Sequence, residues 1–321
     1  MRILVTGGAG FIGSHVVDAL AAAGHRPVVF DTRRMPHGDG DTEAVRGDIL
    51  DRRALTHAAV GCDAVVHLAA AADVDAVQAD PSAAEEVNAR GTLNVLEAAR
   101  AAGVPRVIYA STIWVYSDVA ADGAVDEATP LTAPAHLYTA TKLAGELYCR
   151  SYEELYGLSC TILRFGIPYG PRARPTAVIP AFVRRALDGD ALTINGGGQQ
   201  RRRLVYVEDL AEGVVRALVP DAAGRTYNLV GDADVSILEI AETVRASSTR
   251  RRSGSTPTRS RRTSTRTRCS RCRRTSTRRR SSPARCTAAR MASSTACRRR
   301  SCASGSPTAR APGPPRYCRS S

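Results

Sequence analysis

Tyr138 and Lys142 stand four residues apart in the segment YTATK. On a helix that spacing puts both on one face, one turn apart. A free phenol ionises near pH 10, which makes it a poor base at neutrality, whereas a neighbouring ammonium favours the phenolate. A tyrosine held this way can take a proton from an alcohol. STIWVY (111–116) follows an apolar strand-like run and offers a hydroxyl that can orient such an alcohol. Taken alone, Tyr-x-x-x-Lys also occurs on solvated helix faces, so its meaning depends on what surrounds it.

What surrounds it includes TGGAGFIG (6–13), between the apolar run RILVT (2–6) and the helical pattern FIGSHVVDALAAAG (11–24). Gly7, Gly10 and Gly13 allow a tight turn, close backbone approach to a pyrophosphate and close helix–strand packing. The helix start supplies N–H donors and the positive end of its dipole. This pattern predicts dinucleotide binding. Asp31 closes the next strand, PVVFD (27–31), where a carboxylate accepts ribose hydroxyls and repels a 2′-phosphate. NAD is therefore favoured over NADP, although Arg33 and Arg34 stand close enough to take up that extra phosphate. An oxidised nicotinamide ring would add to the effect of Lys142 on Tyr138.

These residues need a scaffold, and the pattern of residues 1–244 predicts one. RILVT, PVVFD, DAVVH (63–67), RVIYAS (106–111) and SCTILR (159–164) read as buried parallel strands. Helical patterns separate them, among them 85–103 and 137–157. Such alternation implies right-handed crossovers and an α/β fold, a Rossmann-like doubly wound parallel sheet. We expect this domain over 1–165 and a small C-terminal substrate lobe over 166–244. The lobe would contain helical 177–189 and 207–219, strand-like TYNLV (226–230), and a capping box at Ser236 and Glu239 opening a further helix.

From about Arg245 the composition changes. Residues 245–321 hold 23 of the 45 basic residues, all arginine, and none of the 31 acidic ones, so the formal charge of +14 belongs to this tail. Residues 1–244 carry a net charge of −9. The tail also lacks Leu, Ile, Phe and Trp, and such a low-complexity segment cannot build a core alone. A frame shift in GC-rich coding DNA is the favoured explanation, since the change falls inside a capped helix. A plain disordered tail and an arginine-rich nucleic-acid arm are the others, and a nucleic-acid partner is disfavoured. Cys269 and Cys272 have metal-knuckle spacing but lack a histidine or a second pair in the tail, so no metal is expected. Cys62, Cys149 and Cys160 suggest no disulfide framework. With no signal-peptide pattern and no long apolar run, no membrane association and a cytoplasmic location are expected.

The chain resembles the extended short-chain dehydrogenase/reductase family, within it the NAD-dependent epimerase/dehydratase group that acts on nucleotide sugars. The resemblance covers about 1–244 and rests on TGGAGFIG, GDILD (47–51), HLAA (67–70), NARGTLNVLEAA (88–99), STIWVY, YTATK, LRFGIPYGPR (163–172) and QRRRLVYVEDLA (200–211). It implies a catalytic set of Thr112, Tyr138 and Lys142. For the cofactor it implies Gly7, Gly10, Phe11, Ile12, Gly13, Asp31, Asp48, Ile49, Leu68, Ala69, Ala70, Asn88, Tyr138 and Lys142. Asp48 and Ile49 would flank the adenine, and Asn88 would stand in the helix behind the site. Ser111 and Arg202 are implied for the substrate, with Arg202 at a phosphate. A homodimer through 85–103 and 137–157 is expected on the same basis.

Two positions depart from the family pattern. Family 4,6-dehydratases carry an Asp-Glu pair after the catalytic hydroxyl, and sugar-acid decarboxylases keep a Glu there; this chain has Ile113 and Trp114. Many epimerases have an asparagine where this chain has Ile167. The first departure removes the acid–base groups of both chemistries and points to an epimerase or a simple redox enzyme. The second departs from the usual nucleotide-sugar contact and keeps a reductase open. The activity the resemblance implies first is that of an NAD-dependent sugar-nucleotide 4-epimerase. The alternatives are an NAD(P)-dependent reductase or dehydrogenase of another alcohol or carbonyl compound, and a catalytically silent dinucleotide- or nucleic-acid-binding protein.

Overall fold

A computed structural model describes residues 1–35, 42–116, 125–134 and 136–252. The main sheet is parallel and takes its strands in the order β3-β2-β1-β4-β5-β6-β9. These are β1 (Arg2–Thr6), β2 (Arg26–Asp31), β3 (Glu43–Arg46), β4 (Ala64–His67), β5 (Arg106–Thr112), β6 (Ser159–Phe165) and β9 (Thr226–Leu229). The expected doubly wound fold is present, and the order reverses between β1 and β4. In such sheets a ligand crevice opens there, beyond the carboxyl ends of the strands.

The apolar runs form strands because both of their faces are covered. In β1, Leu4 joins one core with Val28, Val65 and Val107, while Ile3 and Val5 join the opposite core with Val29, Val66 and Ile108. Helices α1 (Phe11–Ala22) and α8 (Val207–Arg216) cover the second face, with α8 packed on α1. The first face is covered by α2 (Arg52–Ala59), α5 (Gly91–Ala101) and α6 (Leu137–Tyr156). Between β4 and α5 lie α3 (Val74–Ala79), α4 (Pro81–Glu85) and a π-helical turn (Glu86–Arg90) that runs directly into α5.

The remaining elements are β7 (Ile167–Tyr169), α7 (Val178–Asp188), β8 (Arg201–Tyr206), β10 (Asp234–Ser236) and α9 (Ile237–Arg252). The three strands form a second sheet, β10-β8-β7. A small core of Phe182, Ile240 and Ala241, with Leu204 and Val244 against it, ties α7 and α9 to that sheet. The capping box forms as expected: Glu239 N–H donates to Ser236 Oγ at 3.1 Å, and Ser236 N–H donates to Glu239 Oε2 at 2.6 Å.

Two elements expected in the small lobe belong to the main sheet instead. β9 pairs with β6, and α8 buries Leu210, Ala211 and Val214 in the core beneath α1. Their apolar faces match the open edge and uncovered face of the large sheet. The chain therefore crosses between lobes more than once, and α9 runs past Val244 to Arg252. Cys269, Cys272 and the tail from 253 lie outside the described residues. Among the described residues no helix is long and apolar enough to cross a membrane, and no group of His, Cys, Asp and Glu could hold a metal ion.

Candidate active site

A cleft of about 1050 Å³ opens above the carboxyl ends of the main strands. Its floor is the turn between β1 and α1. Gly7 has φ of +73°, and a Cβ there would meet Ala69 N at 2.6 Å. At Gly13 a Cβ would stand 2.1 Å from Gly7 O, so α1 can begin this close to the turn only without a side chain. Gly10 caps α1 with no side-chain hydrogen bond, and the first turn holds no acidic residue. The first N–H groups of the helix, at Phe11 and Ile12, thus have no intrahelical acceptor, and the positive dipole end is uncompensated. That cradle fits a pyrophosphate.

Asp31 lies at the cleft wall and is nearly buried. Its Oδ2 accepts from Ala9 N–H at 3.0 Å and its Oδ1 from Arg33 N–H at 2.9 Å, so the carboxylate braces the glycine turn. Arg33 Nε lies 3.4 Å from the same Oδ1, and Arg33 itself lines the cleft. Asp48 and Ile49 line the same end, beside Phe30 and Gly47. Ile49 reaches Gly91 so closely that a Cβ there would meet Ile49 Cδ1 at 2.4 Å. Leu68, Ala69 and Ala70 complete this wall.

At the other end, Ser111, Thr112, Tyr138 and Lys142 all line the cleft. β5 delivers the first two and α6 the second two. Trp114 N–H donates to Thr112 Oγ1 at 3.2 Å, which occupies a lone pair and leaves the threonine proton for another acceptor. Lys142 is buried, its Nζ donating to Ala110 O at 2.9 Å and lying 5.1 Å from the centre of the Tyr109 ring. Burial pushes the Lys142 ammonium down to about 8 and the Tyr138 phenol up to about 12. Both shifts are what loss of water does to a group whose charged form needs it. A cation bound at this end would counter the shift at Tyr138.

Behind the cleft the supports are polar and buried. His67 is held between Thr6 Oγ1 at 2.7 Å and Thr92 Oγ1 at 3.1 Å; burial, then the Lys142 charge, lower its pKa to about 3 and keep it neutral. Asn88, in the π-turn, does not line the cleft. Its side-chain amide bonds both N–H and C=O of Ala71 and donates to Thr141 Oγ1, joining the loop after β4 to α6. The extra residue of a π-turn rotates the side chains that follow it, and such turns recur at functional sites. Ser111 Oγ donates to Glu146 Oε1 at 2.5 Å, so its hydroxyl is directed into the protein. Arg202 lies outside the cleft, its guanidinium bonded to Arg201 O and Gln200 Oε1.

Two arginines do line the cleft without having been singled out from the sequence: Arg172 and Arg174. Arg172 adopts a left-handed φ of 64° and pairs with Asp18 of α1 at 2.7 Å. Arg174 pairs with Asp73, the N-cap of α3. The YGPR run was legible, but not that its arginine turns back onto α1, where the Pro171 carbonyl also meets His15 Nε2 at 3.0 Å.

A family description, NAD dependent epimerase/dehydratase, matches residues 3–230. A dTDP-glucose 4,6-dehydratase from Streptomyces niveus is 34% identical over 259 residues, 76% of this chain and 76% of that protein. A UDP-glucose 4-epimerase from Mycolicibacterium smegmatis is 35% identical over 253 residues, 75% of this chain and 80% of its own. Among solved structures, the UDP-glucose 4-epimerase of Thermus thermophilus in complex with NAD superposes with a TM-score of 0.71 at 34% identity, covering 78% of this chain and 84% of that one.

Proposed function

The chain belongs to the NAD-dependent epimerase/dehydratase family of enzymes, with NAD as cofactor, and we propose that within it this protein is a nucleotide-sugar 4-epimerase. One observation carries the choice. Thr112, Tyr138 and Lys142 share the cleft with the glycine turn, while the two residues after Thr112 are Ile113 and Trp114. Neither can donate or accept the proton that loss of water from the sugar demands, so proton transfer falls to Tyr138.

The residues would act as follows. Phe11 and Ile12 N–H groups would hold the cofactor pyrophosphate, Asp31 would receive the adenosine ribose, and Lys142 would hydrogen-bond the nicotinamide ribose. NAD supplies a reversible acceptor for the hydrogen on the sugar carbon. Thr112 donates a hydrogen bond to the sugar oxygen and keeps its proton, and Tyr138 takes the hydroxyl proton as the carbon is oxidised to a ketone. After the keto-sugar presents its other face, Tyr138 returns the proton and the alcohol is restored with inverted configuration. No water is lost and no cofactor is consumed. Tyr138→Phe should lower kcat by about 10²–10⁴ while NAD still binds, because only the proton acceptor is removed. Turnover unchanged in that variant contradicts the assignment.

A homodimer through α5 and α6 belongs to the same proposal. Leu147, Leu155 and Tyr156 of α6 are more than half exposed, an apolar surface suited to a second copy. Sedimentation at micromolar concentration should give a dimer that Leu147→Glu with Leu155→Glu converts to monomer; a wild-type monomer sinks the idea.

A further inference from the structure

Trp114 is the single tryptophan of the chain. Its indole lines the cleft, 36% exposed, where the substrate end begins. It meets Tyr138 edge-on, with ring centres 6.3 Å apart and planes at 88°. On another side it contacts His136, with ring centres 6.1 Å apart. Its backbone is fixed by the hydrogen bond to Thr112. Trp114 is therefore attached to one member of the catalytic set through its backbone and packed on another through its ring. The lining after β6 adds apolar Phe165, Ile167, Pro168 and Ala177, with Arg172 and Arg174 among them.

We infer that Trp114 is the platform on which the sugar ring of the substrate lies, and that it determines specificity for a pyranosyl group. This rests on the nucleotide-sugar reading above and extends it to the recognition of the sugar itself. A pyranose carries C–H groups on its ring faces and hydroxyls around its rim. A flat indole offers such a face a large apolar surface that costs little conformational entropy to hold. A ring resting there lies beside Tyr138 and Thr112, so its rim hydroxyl meets both. An aromatic plane also binds through ring C–H groups rather than through directional hydrogen bonds to individual hydroxyls. It can carry the keto-sugar in either orientation, which a fixed set of hydrogen bonds to one epimer could not. The same side chain that removes elimination chemistry from this position thus supplies binding that epimerisation can use.

The sole indole is also its own reporter. NAD-loaded full-length protein is titrated with UDP, UDP-glucose, dTDP and dTDP-glucose, with tryptophan fluorescence and calorimetry followed in parallel. The inference predicts binding of a sugar nucleotide that changes the indole emission, while the matching nucleotide without sugar binds and leaves it nearly unchanged. It further predicts that Trp114→Ala raises KM for the sugar nucleotide roughly tenfold, the scale of one lost aromatic contact, with the inhibition constant of the bare nucleotide unaltered. Trp114→Phe should recover most of that loss. If calorimetry shows a sugar nucleotide bound while emission and the Trp114→Ala KM stay unchanged, the platform is wrong and the nucleotide-sugar reading stands. If calorimetry detects no sugar nucleotide, both fall.

Discussion

At the scale of single residues, the removal of water moves Lys142, Tyr138 and His67 from their ordinary ionisation. Lys142 makes this measurable. Its pKa near 8 in the folded chain lies below the 10.5 of an ordinary lysine, so between those values the unfolded chain binds more protons than the folded one. Stability therefore rises with pH across that window, and the burial cost is fully present below it. Urea unfolding of the cofactor-free protein at about pH 7.5 and pH 9.5, set against Lys142→Met, should show wild type gaining about 2 kcal/mol relative to the variant. A flat difference means that Lys142 keeps its proton. YTATK and TGGAGFIG were legible in the sequence because spacing alone sets which helix face or turn they occupy. Ser111 was not: nothing local says that its hydroxyl faces Glu146, 35 residues away. The cleft positions of Arg172 and Arg174 depend on partners as distant, Asp18 and Asp73.

At the scale of elements, Thr112, Tyr138 and Lys142, the proposed catalytic set, sit on β5 and α6, which are joined to β6 by charge as well as by packing. Arg164 of β6 and Glu146 of α6 are each about 1% exposed and meet at 2.7 Å, with a second contact at 3.0 Å. Arg164 also donates to Tyr116 Oη, which in turn donates to Asn228 of β9. Replacing Glu146 by Leu leaves a buried guanidinium without its counter-charge and should cost about 3–5 kcal/mol. Adding Arg164→Met should return much of it, read as the denaturation midpoint of the double variant. A Glu146→Leu protein as stable as wild type would show that the pair does not hold these elements. The strands themselves were readable as apolar runs, since burial on both faces leaves that mark. β3 was not, because Glu43, Ala44 and Arg46 are exposed and only Val45 turns partly inward. β7, β8 and β10 are short or arginine-rich, and most of their residues are only half-buried, which leaves no continuous apolar run to read.

At the scale of the whole molecule, the residues proposed for cofactor binding and catalysis all precede Gly166, and among the described residues the core of the small lobe extends to Val244. We propose that the chain through Arg252 suffices for NAD binding. A protein ending there should gain about 2.7 kcal/mol of stability at NAD a hundred times its Kd, as the full chain does. A gain seen only in the full chain would place part of the cofactor site beyond Arg252. The claim on which the account turns is the reaction. Its most direct test is to incubate the NAD-loaded chain with UDP-glucose and with dTDP-glucose and to identify the sugar products by NMR. Inversion at carbon 4 without accumulation of reduced cofactor is the predicted result; a 4-keto-6-deoxy sugar, or reduced cofactor formed in step with an oxidised product, contradicts it.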